Sequence, residues 1–219
     1  MPTLLNDIEV RVLGSLVEKQ VTTPEYYPLT LNALTTACNQ KNNRHPVMNL
    51  DENTVMQAVE SLREKNLSYV FYGSNSRVPK YKHVAPEVLQ INPQELAVLS
   101  VLMLRGPQTL GELRDRTARL YEFSSLEEVE STLGSLGAKD PDPLVTRLPR
   151  QAGQKEARFA HLLSGEIDVE SLPEQESPRR VARSNESERV SALEQEVESL
   201  RSEVNQLQAQ FEEFKKQFE

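Results

Sequence analysis

Two short segments hold the side chains best suited to contact a phosphate backbone or a base edge. The first is Asn39-Gln40-Lys41-Asn42-Asn43-Arg44, four amides and two cations in six residues. Amide and guanidinium groups carry the paired donors and acceptors that read base edges. The same residue types also build tight turns, so this segment has two readings. The second segment is Arg77 with Lys80 and Lys82, after a Gly73-Ser74-Asn75-Ser76 turn. On a strand, Lys80 and Lys82 share one face because side chains alternate. Such a hairpin can set cations on phosphates or in a minor groove. A solvated hairpin tip is often basic without contacting anything. Gln57, between the two segments, is the candidate base reader on a helix. The candidate DNA-contacting set is therefore Asn39, Gln40, Lys41, Asn43, Arg44, Gln57, Arg77, Lys80 and Lys82.

Residues for catalysis are scarce. His45, His83 and His161 are far apart, and none has a Cys, Asp or Glu at metal-ligand spacing. There is no glycine-rich phosphate loop; Gly106-Pro107 begins a turn between helical stretches. Cys38, the single cysteine, lies on the apolar side of its stretch and reads as a buried structural thiol. Glu127-Glu128 sits at a helix start, where the dipole accounts for it. No enzymatic role, metal or cofactor is expected. A lone cysteine suits a reducing compartment. Met1-Pro2-Thr3-Leu4-Leu5-Asn6 lacks the charged start and apolar run of a secretory signal. No apolar run is long enough to span a membrane. The cytoplasm is the expected compartment.

The elements that must position these side chains come twice. Leu5-Asn6-Asp7-Ile8-Glu9-Val10-Arg11-Val12-Leu13 is echoed by Ile91-Asn92-Pro93-Gln94-Glu95-Leu96-Ala97-Val98-Leu99. Thr30-Leu31 and Leu34 return as Thr109-Leu110 and Leu113. Val55, Val59 and Leu62 return as Val129, Leu133 and Leu136. An apolar strand pair with a charged tip follows each time, at 67–72 with 80–84 and at 144–148 with 157–163. Three helices and a hairpin, repeated, predict an α+β, mainly α fold of tandem winged helix-turn-helix domains over 1–86 and 87–165. In the first copy, Asp7 is expected to help start a helix whose buried face is Ile8, Val12, Leu13, Leu16 and Val17. A second helix is expected from Leu29 to about Cys38, and Asp51 caps a third. Thr109 with Glu112 and Ser125 with Glu128 read as capping boxes.

Charge separates the two copies. The net charge of −8 resides mostly in residues 166–219, with seven basic and fourteen acidic residues, whereas 1–86 carries nine and eight. The folded part is nearly neutral, so overall charge does not decide for or against a phosphate partner. The third helices are acidic: Asp51, Glu52, Glu60 and Glu64 in the first, Glu127, Glu128 and Glu130 in the second. Carboxylates facing phosphates repel them. The second copy therefore reads as a packing partner, and the first as the possible DNA reader.

Residues 166–188, rich in Ser, Glu and Pro, read as a flexible linker. Beyond them, Val190, Leu193, Val197, Leu200, Val204, Leu207, Phe211, Phe214 and Phe218 recur at three-four spacing over 189–219. Val at a and Leu at d favour a parallel two-stranded coiled coil and hence a homodimer. Glu196 facing Arg201, and Arg189 facing Glu194, agree. The alternative is an amphipathic helix docked on its own chain, which would want a broader apolar stripe.

Several strings resemble the YceH-like family of bacterial proteins. They are Leu16 to Pro24 (LVEKQVTTP), Ala37 to Arg44 (ACNQKNNR), Pro46 to Leu50 (PVMNL), Leu104 to Thr109 (LRGPQT) and Tyr121 to Ser124 (YEFS). The resemblance covers about residues 5–165 and implies a tandem winged-helix fold without catalytic residues to carry over. The expected function is a non-enzymatic DNA-binding protein, with transcription regulation as the role, partnered by double-stranded DNA and no membrane. The alternative is a protein-interaction adaptor using the winged helices and the coiled coil to hold another protein.

Overall fold

Helix α1 (Asp7–Thr22) starts at Asn6. The Asn6 side-chain carbonyl accepts from the Ile8 and Glu9 amides at 3.0 and 2.9 Å. The Glu9 carboxylate accepts in return from the Asn6 N–H at 2.7 Å, which completes a capping box. Asn6, and not Asp7, is the cap; Asp7 adds favourable charge within the first turn. A 3-10 turn at Pro24–Tyr26 and strand β1 (Leu29–Thr30) follow. The expected helix from Leu29 is shorter, because Leu29 and Thr30 pair with a later strand before Thr30 caps α2 (Leu31–Cys38). Asp51 caps α3 (Glu52–Glu64), its carboxylate accepting from the Thr54 amide at 2.7 Å. Strands β2 (Ser68–Phe71) and β3 (Lys80–His83) form an antiparallel hairpin, and the sheet order is β1-β3-β2.

A short helix α4 (Ala85–Leu89) leads into the second series: α5 (Pro93–Arg105), α6 (Leu110–Thr117), α7 (Leu126–Gly137), β4 (Val145–Arg147) and β5 (Phe159–His161). Asn92 with Glu95 and Thr109 with Glu112 are complete capping boxes. Ser125 accepts from the Glu128 amide at 3.3 Å, but the Glu128 carboxylate turns to the Ser124 amide and hydroxyl instead of closing a box. A bridge between Gln108 and Phe159 takes the place that β1 has in the first series. The computed structural model describes residues 4–72, 78–150 and 156–165, which fall within one compact unit, Met1–Val169. Those residues make a mainly helical α+β fold of seven α-helices with small antiparallel sheets. Arg77, the 166–188 segment and the heptad residues from Val190 to Phe218 lie outside the described residues.

The centre of the unit is the packing of α1 on α5. Every residue from Glu9 to Val17 and from Glu95 to Leu104 is buried, so the middle of each helix is enclosed on all sides. The apolar face expected for α1 is buried as Val12, Leu13, Leu16 and Val17, with Ile8 half-buried. Its other face, with Val10, Arg11, Gly14 and Ser15, is buried too. Gly14 sets the approach, since a Cβ there would lie 3.0 Å from the Leu104 side chain and 3.1 Å from Met103 Cβ.

The duplication extends to a polar network. Lys65, just after α3, reaches Glu9 at 2.7 Å and the Leu4 carbonyl at 2.9 Å. Lys139, just after α7, reaches Glu95 at 3.3 Å and the Gln90 carbonyl at 2.6 Å. Burial would raise the Glu9 carboxyl, but Lys65, Ser61 and the Asn6 amide outweigh it and hold it below the ordinary glutamate value. Glu95 is held down against burial in the same way by Ser135, the Asn92 amide and Lys139. Each first helix is thereby tied to the end of its third.

Candidate nucleic-acid interface

The connection after α2 is held from inside. Arg11, fully buried on α1, donates to the carbonyls of Cys38 at 3.1 Å and Pro46 at 2.6 Å. Arg44 is also buried: its Nη2 pairs with Glu18 at 2.6 Å and its Nε donates to the Ala37 carbonyl at 3.1 Å. Asn39 closes the loop by donating to the Leu50 carbonyl and accepting from the Leu50 amide, both at 2.8 Å. Asn43 takes the left-handed conformation at φ 60°, where Asn is tolerated, and accepts from the Arg105 guanidinium. The His45 amide bonds the Leu104 carbonyl at 2.8 Å, anchoring the connection to α5. Asn39, Asn43 and Arg44 thus use their side chains within the fold. Arg44 is the plain correction: its guanidinium is not on the surface, because Glu18 and the carbonyls of Ala37 and Asn43 draw it inward. Lys41 is exposed, and Gln40 is half-buried.

The hairpin is different. Lys80 lies opposite Phe71 and Lys82 opposite Tyr69, while Tyr81, opposite Val70, is buried beneath. Alternation puts Tyr69, Phe71, Lys80 and Lys82 on one outward face. The Lys82 ammonium lies 4.6 Å from the centre of the Tyr69 ring, a cation–π contact. Tyr69, Phe71, Tyr72 and Val78 are all substantially exposed. Lys80 and Lys82 form no ion pair among the described residues. The exposed aromatics are the part that reading the sequence for charge missed. The signal was present in the alternation of Tyr69 and Phe71 with Ser68 and Val70.

Gln57 is exposed on α3, along with Glu52, Asn53 and Glu60. Glu60 is paired to Arg63, and Glu52 accepts from Asn32 on α2 at 3.1 Å. In the second series, Arg158 beside β5 is turned to Glu112 at 3.2 Å and the Pro107 carbonyl at 2.8 Å. Glu128 at the start of α7 bonds Gln94, and the Ser124 amide and hydroxyl hold its carboxyl below the usual glutamate value. Cys38 is buried, and burial pushes its thiol up, away from nucleophilic character. Burial also drives His83 down to about 4, with its Nδ1 accepting from the Ala85 amide. His83 is therefore neutral near pH 7 and contributes no charge to the hairpin. No group of three or more metal-ligating side chains occurs among the described residues, and no described helix is long and apolar enough to cross a membrane.

Residues 5–154 match the family described as "Protein of unknown function, DUF480". The chain belongs to the DUF480 family. The curated relatives of this DUF480 chain carry the name UPF0502 protein. One from Geobacter sulfurreducens is 55% identical over 200 residues, covering 90% of each chain. One from Opitutus terrae is 55% identical over 181 residues, covering 83% of this chain and 79% of the relative. One from Vibrio atlanticus is 49% identical, covering 90% and 92%. The matched span takes in both helical series, the 39–46 connection and the β2–β3 hairpin. It agrees with the resemblance to an uncharacterised bacterial family that the strings at 16–24 and 37–44 carry.

Proposed function

We propose that each half of this DUF480 protein is a winged helix, and that the chain is a non-enzymatic DNA-binding protein acting as a transcription regulator. The observation that carries the reading is the outward face of the β2–β3 hairpin, where Lys80 and Lys82 stand opposite Phe71 and Tyr69. The two ammonium groups would neutralise backbone phosphates, and the rings beside them would pack on sugars or wedge into a minor groove. Lys41 and Gln57 are exposed and available to touch the duplex as well. Residues 189–219 would pair two copies through their heptads, with 166–188 as the tether. Light scattering on a chain ending at residue 188 should then give half the mass of the full chain, and equal masses would reject that pairing.

A second reading, a protein-interaction adaptor, draws on the same hairpin. Tyr69, Phe71, Tyr72 and Val78 are an apolar surface of the kind partners cover, and α3 exposes acid beside it. Binding of a labelled duplex across a salt series separates the two. The wild type should bind more weakly as salt rises. Lys80→Ala with Lys82→Ala should flatten the log–log slope by roughly 0.9 for each phosphate that is no longer neutralised. Binding that ignores salt, or that survives the double substitution unchanged, leaves the adaptor reading standing.

A further inference from the structure

A cavity of about 170 Å³ lies where the two helical series meet, between α1, α5 and α6. Three guanidinium groups line it: Arg105 at the end of α5, Arg116 on α6 and Arg119 just beyond. Two carboxylates, Glu18 and Asp115, line it as well. Glu18 is already matched by buried Arg44 at 2.6 Å and flanked by Lys19 at 4.0 Å. Arg116 rests 3.4 Å from Glu112, and Glu112 is shared with Arg158. Arg119 forms no ion pair among the described residues and is exposed at the rim. Positive charge is thus in excess over the carboxylates that face it. Desolvation and the nearness of Arg116 both disfavour the Arg105 cation, a tension that a bound anion would relieve.

One further group points to a ligand. Ser100, on α5, is completely buried and lines the cavity, and its hydroxyl has no hydrogen-bond partner. A buried unpaired hydroxyl is costly unless something completes it. The usual local answer, a bond to the carbonyl one turn earlier, is not made. Ser100 shares the lining of the cavity with all three arginines.

We propose that this cavity binds a small oxyanion, a phosphate or carboxylate group, held by Arg116 and Arg119 at the mouth and by Arg105 and Ser100 deeper in. Guanidinium forks match both anions by paired N–H bonds. The volume suits a small group: a cavity of roughly 150 Å³ holds a molecule of benzene size. The site is formed jointly by both halves of the unit, so an occupant would also bridge α1 to α6. It does not depend on duplex binding, and its test uses no DNA.

Calorimetry and thermal melts of the full chain with sodium phosphate, and separately with sodium malonate, against sodium chloride at equal ionic strength, decide it. Saturable binding and a raised melting midpoint are expected with at least one of the two, and which one responds tells a phosphate from a carboxylate occupant. Arg116→Gln with Arg119→Gln should weaken binding tenfold or more, whereas Arg63→Gln on α3 should not change it. Ser100→Ala should weaken binding severalfold without lowering the midpoint of the ligand-free protein, because its hydroxyl is unpaired there. No saturable effect beyond chloride from either anion, or wild-type affinity in the double variant, overturns the proposal.

Discussion

Arg44 is a charged residue whose neighbours in sequence mislead. Set among Asn39, Gln40, Lys41 and Asn42, it reads as surface, because arginine is rarely buried unless paired. Its partner, Glu18, lies 26 positions earlier on a face of α1 that the apolar spacing assigns outward. The pairing is tertiary, and no local rule reveals it. With the Arg44 side chain fully buried and that of Glu18 only 10% exposed, removing one charge strands the other in a poorly solvated place. Arg44→Met should lower unfolding stability by about 3 kcal/mol, read from the urea midpoint, because breaking a buried pair leaves an uncompensated carboxylate. A surface role in duplex binding would give the opposite pattern: unchanged stability with weaker DNA affinity. Asn39 and Asn43 share the lesson in milder form. Their amides were legible as either readers or turn builders, and the bonds to Leu50 and Arg105 are those of turn builders.

At the level of elements, more was legible. The Asn-x-x-Glu strings at 6–9 and 92–95 spell the capping boxes that start α1 and α5, and Asp7 helps the first start as an acid in its first turn. The third-helix apolar triads are buried as the spacing required, Val55, Val59 and Leu62 matching Val129, Leu133 and Leu136. What periodicity could not reveal is that the middle of α1 is enclosed on all sides, since a helix between two layers loses its polar stripe. Gly14 records that second packing face. Alanine is favoured over glycine inside a helix by about 1 kcal/mol. At position 14 the added methyl would meet Leu104 at 3.0 Å and Met103 at 3.1 Å, and overpacking of that kind typically costs about 1–3 kcal/mol. The collision should win, so Gly14→Ala lowers the melting midpoint. Gly134, on the exposed side of α7 with nothing within 4 Å of an added Cβ, supplies the contrast. Gly134→Ala should raise the midpoint. If both substitutions stabilise, α1 and α5 are not closely packed in solution.

For the whole molecule, the repeat implies two self-sufficient domains, but the packing implies one cooperative body. The face of α1 around Gly14, which meets Leu104 and Met103 of α5, is buried in the full unit. The connection after α2 is tied to α5 through the His45 amide and the Leu104 carbonyl, and through Asn43 and Arg105. Small domains bury too little apolar surface to be generous with it. A fragment of residues 1–90 would keep its own capping network, Glu9 with Lys65, but would expose that face of α1 to water. It would also keep the buried Arg44–Glu18 pair while opening it to solvent on the side where α5 stood. Circular dichroism should therefore show helical content in the fragment without a sharp melt, whereas residues 1–165 should unfold in a single cooperative transition. Two separate transitions in the 1–165 chain, or a sharp melt of the fragment near the temperature of the whole, would mean that the halves fold independently. The α1–α5 interface would then be a docking surface and not a shared core.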